Sequence, residues 1–490
     1  MGLIRFSTAQ ADRVPTEALT RAYMAGMDEV PWPTRVVATD EGLIVDRPES
    51  ESGCFYIPWK VDGFCEMTLC TASLMERTRP YLLEVELARG TLNRIRNQLA
   101  AWEQAGLVIP EPIRKRLSDV TEVFSRAVTS QPDPKHAANL ASEVLSEGLS
   151  LTVALGAAYA QQALATRHAS GSKLVTMLGA NLGEKPLDKP VAKHFVRTFN
   201  SAIVPMAWNQ LARDEGEYSW DLTETQLGWC KANDMKICSG PLVSLDGANI
   251  PDWLVLWEED LENLTGLISQ HVRSVVQRFR GRLHVWQAAS RVNSGSFLGL
   301  SRQDTMRLAI FIVETIREID PQTPVVISFD QPWGDPKSSQ DAELPVYLAD
   351  TLVRSNLGLA GIGLEMKIGY HPSGSSFRDV IEFSRQLDRW AMLGMPLLVS
   401  LVVPGGEGAD PHAKSESTPH PDVWTTGRQE EWVRDYVPIL LGKQAVQGIV
   451  WNQLYDGHPH ALPHGGLINA AAEAKPALGS LTAIRKAHLD

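Results

Sequence analysis

After Gly171 the sequence alternates, eight times over, between a short apolar run of strand length and a longer amphipathic stretch, and this narrows the fold more than any other feature. The apolar runs are Leu174 to Gly179, Phe199 to Pro205, Met235 to Ser239, Leu283 to Ser290, Pro324 to Asp330, Leu359 to Met366, Pro396 to Val403 and Gln447 to Asn452. Between them Leu261 to Arg280, Arg302 to Ile319, Phe377 to Leu393 and Gln429 to Leu441 carry apolar residues at helical spacing. A crossover between parallel strands needs a dozen or more residues, and a helix supplies them. Eight such units predict an α/β fold, a (β/α)8 TIM barrel, over residues 171–490.

Upstream the period changes. Thr34 to Ala38, Leu43 to Asp46, Cys54 to Trp59, Phe64 to Cys70 and Tyr81 to Leu87 are alternating segments separated by Asp, Glu, Gly and Pro, which reads as a small β-rich, sandwich-like domain at 1–90. Leu92, Ile95, Leu99 and Trp102 then recur at helical spacing, and Ala137 to Arg167 is rich in Ala and Leu. Breaks near Pro110 to Pro112 and Gln131 to Pro134 divide a helical segment at 91–170.

Composition excludes several function classes. The chain has 490 residues, 44% of them hydrophobic, so it can bury large cores. A formal charge of −12 has the wrong sign for coating phosphate backbones, and no nucleic-acid partner is expected. Arg5, Asp12 and Arg13 interrupt the N-terminus where a secretory signal needs an apolar run, and no membrane span is expected. Cys54, Cys65, Cys70, Cys230 and Cys238 form no CxxC pair and read as free thiols in a reducing compartment, hence a cytoplasmic location. Cys230 and Cys238 flank the third run as small core residues.

The barrel half resembles the family 10 xylanases of the glycoside hydrolases in four collinear places. They are WNQLARDEGEYSW (Trp208 to Trp220) with WCKANDMK (Trp229 to Lys236), HVWQAASRV (His284 to Val292), GIGLEMK (Gly361 to Lys367), and GIVWNQLYD (Gly448 to Asp456) with GGLINAAAEAKPAL (Gly465 to Leu478). The resemblance implies the barrel fold and a saccharide ligand, with no cofactor or metal. Its catalytic residues do not carry over. Where the family has its acid/base Glu at the end of strand four this chain has Arg291 after Ser290, and where the family has its nucleophile on strand seven it has Leu401 after Ser400. The saccharide-holding Lys, His and Gln-x-His of the family match Ala207, Gly240, and Glu365 with Lys367. Standard glycoside hydrolysis needs two carboxyl groups, so that route is closed to the family's positions here.

In barrels the working residues stand at the C-terminal strand ends. Here these are Asn181, Trp208, Asp246, Ser290, Arg291, Asn293, Asp330, Gln331, Trp333, Glu365, Lys367, Trp451, Asn452 and Asp456. Asp330 and Glu365 end consecutive strands, which lie about 4.8 Å apart, and form the sharpest carboxyl pair, with Arg291 as electrostatic partner. The competing reading makes them members of an ion-pair network filling the barrel mouth. Trp208, Trp333 and Trp451 offer ring faces to a sugar, and Gln331, Lys367 and Asn452 offer polar contacts. Trp286, inside strand four, reads as core. His458, His460 and His464 have metal-ligand residue types in a Pro-containing loop, where solvated imidazoles are the plainer reading. Three functions remain open: a noncanonical glycosidase-like enzyme acting on a glycoside or oligosaccharide, an inactive pseudo-hydrolase that binds a saccharide or a protein, or a barrel with different chemistry, such as a lyase or a metal-assisted reaction using the His-rich loop.

Overall fold

The computed structural model describes all but residues 1, 15, 27, 41, 170, 172, 295–296, 334–343, 373, 416 and 420–423, and the side chains of 16 and 17. The chain divides into two compact units. One holds Met1–Arg167 with Gly334–Leu344 and Ser376–Leu387, and the other holds His168–Trp333, Pro345–Ser375 and Asp388–Asp490.

In the first unit eight short strands make two four-stranded sheets: β1 (Gly2–Ser7), β2 (Tyr23–Ala25), β3 (Pro31–Trp32), β4 (Arg35–Thr39), β5 (Gly42–Arg47), β6 (Cys54–Lys60), β7 (Glu66–Cys70) and β8 (Tyr81–Leu82). Their orders are β4-β5-β1-β8 and β3-β2-β6-β7. Three helices follow, α1 (Leu83–Gln104), α2 (Glu111–Thr129) and α3 (Pro134–Arg167). The β-rich and helical stretches share one core, in which Phe6, Val45, Phe55 and Trp59 pack with Leu92, Ile95, Val144 and Leu149. Helix α1 starts inside the run read as strand, at Leu83. Its first-turn Glu84 accepts the N–H groups of Ala9 and Gln10 at 2.8 and 2.9 Å, anchoring the helix where its dipole favours an anion. By length and composition α3 is apolar enough to cross a bilayer. Its Ala137, Ala141, Val144, Leu145 and Leu149 lie in the core of this unit.

The second unit is the expected barrel. Its elements are β9 (Met177–Asn181), α4 (Lys189–Thr198), β10 (Ser201–Val204), α5 (Trp208–Leu211), α6 (Asp221–Ala232), β11 (Lys236–Ser239), β12 (Val243–Ser244), α7 (Leu261–Phe279), β13 (Trp286–Ser290), α8 (Arg302–Ile319), β14 (Val325–Asp330), α9 (Pro345–Arg354), β15 (Gly361–Lys367), β16 (Tyr370–His371), the end of α10 (Val380–Ala391, whose residues up to Leu387 belong to the first unit), β17 (Leu397–Val402), β18 (Thr418–Pro419), α11 (Thr426–Gly442), β19 (Val446–Trp451) and α12 (Pro476–His488). Strand three of the barrel is broken into β11 and β12. A parallel bridge from Cys238 to Val285 joins it to strand four, and β9 pairs with both β10 and β19, so the eight-stranded ring closes. Side-chain caps start α7, α8 and α11: Asp260 accepts Asn263 N–H for α7, Ser301 accepts Asp304 N–H for α8, and Thr425 accepts Arg428 N–H for α11.

The interior changes character along the axis. Met177, Ile203, Cys238, Val285, Val326, Leu398 and Val450 form an apolar layer. Nearer the mouth come Gln287 and Ser328, joined by a 2.6 Å bond from Gln287 Nε2 to Ser328 Oγ. Gly363 sits in this layer because a Cβ there would lie 2.0 Å from Ser328 Oγ. Beyond it Asp330, Glu365 and Ser400 stand side by side in register. Trp286 is wholly buried, as expected of core, with Nε1 donating to Asp320 Oδ2 at 2.9 Å.

Candidate functional site

A cavity of about 390 Å³ opens at the C-terminal strand ends, within the size range of small-ligand sites. Trp208, Arg291, Glu365 and Asn452 line it, together with Gln287, Ser290, Ser400, Gln453, Tyr455 and His458.

Strand period two decides which mouth residues reach it. Along β17 Leu398 and Ser400 line the cavity, and Leu401 is fully buried on the opposite face. The inward strand-seven position is therefore Ser400 rather than Leu401. Along β19 Val450 and Asn452 line it, which sends Trp451 outward. Trp451 is not among the lining residues, and its Nε1 donates to Gly465 O at 2.9 Å. Trp333 is likewise buried away from the lining. Of the three indoles expected to meet a sugar, only Trp208 lines the cavity. It stacks on His271 with centroids 4.4 Å apart, and Trp253 meets it edge-on at 5.9 Å. Burial pushes His271 down to about 3, which keeps this supporting ring neutral.

The charged residues form three ion pairs, two of them sharing Arg291. Arg291 Nε donates to Glu365 Oε2 at 3.1 Å and its Nη1 donates to Asp246 Oδ2 at 2.5 Å. Lys367 Nζ donates to Asp330 Oδ2 at 3.0 Å. Asp330 Oδ1 is buried with no hydrogen-bond partner among the described residues, and Asp330, Gln331 and Lys367 are not among the cavity-lining residues. Asn293 fixes the end of strand five from both sides, its Oδ1 accepting Asp330 N–H at 2.9 Å and its Nδ2 donating to Asp330 O at 2.8 Å. Arg291 and Gln331, each just past a strand end, have φ of 56° and 45°. This left-handed backbone costs a residue other than glycine about 1 to 3 kcal/mol and clusters at working sites.

These contacts set the charge states. Burial pushes Glu365 above the ordinary carboxyl range, Asp330 adds to this, and Arg291 offsets it only in part. Burial also pushes on Asp246, but Arg291 and the Ala248 N–H outweigh it and hold Asp246 below the usual range. Arg291, half-buried yet facing three carboxylates, holds its proton more firmly than an ordinary guanidinium.

The histidine loop is tied by side chains. His460 Nδ1 meets His458 O at 2.8 Å and Nε2 meets Asp410 Oδ2 at 3.0 Å, while Asp410 Oδ2 also accepts His464 N–H at 2.9 Å. The ligand atoms of Asp410, Asp456 and His460 lie within 4.8 Å of one another. Lys475 Nζ, 2.7 Å from Asp456 Oδ2, already brings a cation to this cluster. The loop is thereby braced, and His458 and His460 contribute to the cavity wall.

Sequence reasoning placed Asp246 at a strand end without giving it a role, and did not mark Gln453 or Tyr455. The strand-end position of Asp246 was the only signal for it, because its partner Arg291 lies 45 residues away.

Comparison with known proteins follows the same outline. Residues 168–296 match the model of Glycosyl hydrolase family 10. Endo-1,4-beta-xylanase B of Thermotoga neapolitana is 23% identical over 201 residues, 40% of this chain and 55% of that protein. Endo-1,4-beta-xylanase C of Paenibacillus barcinonensis is 24% identical over 254 residues, 46% of this chain and 22% of that protein. The chain thus spans about half, or less, of the length of the curated relatives it matches. Among solved structures, native xylanase 10B from Thermotoga maritima superposes with a TM-score of 0.50 at 17% identity, covering 64% of this chain and 95% of that one. Xylanase 10B from Thermotoga petrophila RKU-1, solved in complex with xylobiose, gives 0.50 and 17% over 67% and 97%. The barrel is xylanase-like in fold, with the family-level similarity carried by its first half.

Proposed function

We propose that this chain is a glycosidase-like barrel that takes an oligosaccharide or glycoside into its mouth cavity and acts on it through Glu365 of strand six. Asp330 and Arg291 serve as its electrostatic partners, in place of the family's carboxyls on strands four and seven. The observation that carries this reading is the position of Glu365, a buried carboxyl pushed above its usual range at the wall of the cavity. Such a group keeps a proton to give to a leaving oxygen. Trp208, itself 2% exposed, lines the wall, and Asn452 supplies an amide for a sugar. Gln331, Trp333, Lys367 and Trp451 then support the wall from behind rather than touch the ligand. The unbridged cysteines fit a reducing, cytoplasmic setting.

A second reading, saccharide binding without cleavage, is favoured by one observation. Each carboxyl expected to react is already engaged, Glu365 by Arg291 and Asp330 by Lys367. A panel of aryl glycosides and xylo-oligosaccharides separates the two. Turnover that Glu365→Gln abolishes while the melting-temperature rise with xylo-oligosaccharide persists supports the enzyme. A rise in melting temperature with no turnover selects the binding protein, and neither effect with any saccharide removes both readings.

A further inference from the structure

The walls of the mouth cavity are unequal in height. Among the described residues, strands four to six line it only up to Arg291, Ser328 and Glu365, at or before their ends. The opposite wall is carried upward by loops. The stretch 410–419, which follows strand seven, is held on one flank by β18, where Pro419 and Thr418 pair with Tyr370 and His371 of β16. On its other flank the backbone runs beside the strand-eight loop, Lys414 N–H donating to His460 O and Ser415 N–H to Ala461 O, both at 3.0 Å. Side chains then cross the gap to the loop after strand one. Lys414 Nζ donates to Glu184 Oε1 at 2.6 Å, and His458 Nε2 stands 3.8 Å from Asp188 Oδ2. Lys414, Ser415, Glu184 and His458 all line the cavity, so this raised wall faces whatever enters it. The volume of about 390 Å³ is also near the lower end of small-ligand sites, which run from about 300 to 1,000 Å³.

We propose that the stretch 410–419 and the Lys414–Glu184 pair make this cavity a blind pocket for the end of a saccharide chain, so that its ligands are short oligosaccharides or chain termini rather than the interior of a polymer. This rests on the saccharide reading above, in either its cleaving or its binding form, and adds the ligand's length to it. A chain bound by its interior has to leave the site on both sides. Here the backbone of 410–419 and the strand-eight loop close one side, and the ion pair bars the gap that is left between them and strand one. A chain that comes in over the lower wall meets this bar and stops. The bar suits a chain end chemically, because each hydroxyl of a terminal sugar unit can donate to the Glu184 carboxylate and accept from the Lys414 ammonium. Since the bar consists of two side chains, two substitutions remove it and leave in place the backbone that carries it.

The test uses the full-length protein, xylohexaose and a soluble xylan about 20-fold longer, with melting temperature as the readout of binding. A blind pocket counts chain ends, so half of the limiting rise in melting temperature should take about 20-fold more xylan than xylohexaose by mass. An open cleft counts sugar units, and an equal response by mass overturns the proposal while the saccharide reading stands. The Lys414 and Glu184 side chains are 55% and 34% exposed, and an exposed ion pair adds little to stability. Lys414→Ala with Glu184→Ala should therefore melt as the wild type does without ligand, and should shrink the deficit of the long xylan to a few fold. A folded double variant that keeps the whole deficit overturns the proposal, because the pair then bars nothing. If the wild type cleaves xylan, a single short product of fixed length should appear from the earliest times, and a ladder of product lengths overturns it as well. No rise with xylohexaose, nor with cello- or manno-oligosaccharides of the same length, removes the saccharide reading itself, and the proposal with it.

Discussion

Replacing Arg291 with methionine keeps much of its volume but leaves Asp246 and Glu365 without the cation between them. Breaking a buried pair from one side strands its partner charge and costs about 3 to 5 kcal/mol. Urea unfolding of Arg291→Met should show a loss somewhat below that, because Arg291 and Asp246 are partly exposed, and Arg291→Met with Asp246→Asn should recover part of it; no loss would mean the network is solvated and energetically idle. The pH dependence separates the two acids. Asp246, held below its ordinary range, contributes stability that is present above about pH 4 and lost as pH falls through its folded value. Glu365 has the opposite sign: raised in the folded chain, it costs stability as pH rises from the ordinary glutamate range through its folded value. Melting temperature measured from pH 3 to 8 should therefore lose part of its acid-side fall in Asp246→Asn. In Glu365→Gln it should lose part of the decline on the other side. Curves parallel to wild type in both variants would contradict this assignment.

At the scale of elements, most of the barrel is legible from apolar runs. The run Pro324 to Asp330 becomes β14, Pro396 to Val403 becomes β17, and Arg302 to Ile319 is α8 to the residue, because parallel strands buried on both faces read as continuous apolar stretches. The outward turn of Trp451 and the inward turn of Ser400 were also implicit in those strands, since period two assigns faces once one residue of a strand is placed. What the sequence cannot carry is the choice of partners. Arg291 pairs with Glu365 and Asp246, and Asp330 pairs with Lys367, because the break between β11 and β12 and the left-handed turn at Arg291 determine who meets whom. Helix α1 was misplaced for a similar reason: its first turn is stabilised by residues 8–10, about 75 positions away. The interior also shows where strands have no room. Gly363→Ala sets a methyl against Ser328 Oγ, in a layer where Gln287 holds that hydroxyl in place. Overpacking of this kind costs about 1 to 3 kcal/mol. Pairing Gly363→Ala with Ser328→Gly should return most of the loss in a double-mutant cycle, whereas simple additivity of the two would show that the contact relaxes elsewhere.

For the whole molecule, the first unit is discontinuous in sequence, and this sets what can be cut away. Residues Ser376–Leu387, which enclose most of the first turns of α10, belong with Met1–Arg167. Ile381 lies in the shared core of the β-rich and helical stretches, with Phe377 packed against it. Thr68 N–H donates to Phe377 O at 2.9 Å, and Arg94 Nη2 donates to Asp379 Oδ2 at 3.1 Å. Glu382, wholly buried, is held below the usual carboxyl range against its burial by Arg385, Arg378 and Arg94. A fragment of residues 168–490 keeps all eight barrel strands yet strips this segment of its partners, exposing Ile381 and removing one of the cations that face Asp379 and Glu382. Loss of a buried charge partner and of packed apolar area together amount to several kcal/mol. The fragment should therefore melt about 10 °C or more below the full chain, or fail to stay soluble, even though by strand count it is a complete barrel. Adding Asp379→Asn and Glu382→Gln, which removes the stranded carboxylates, should restore part of the difference. A 168–490 fragment that melts with the full chain would show that α10 holds its fold from the barrel side alone, and that Ser376–Leu387 draws no stability from the first 167 residues.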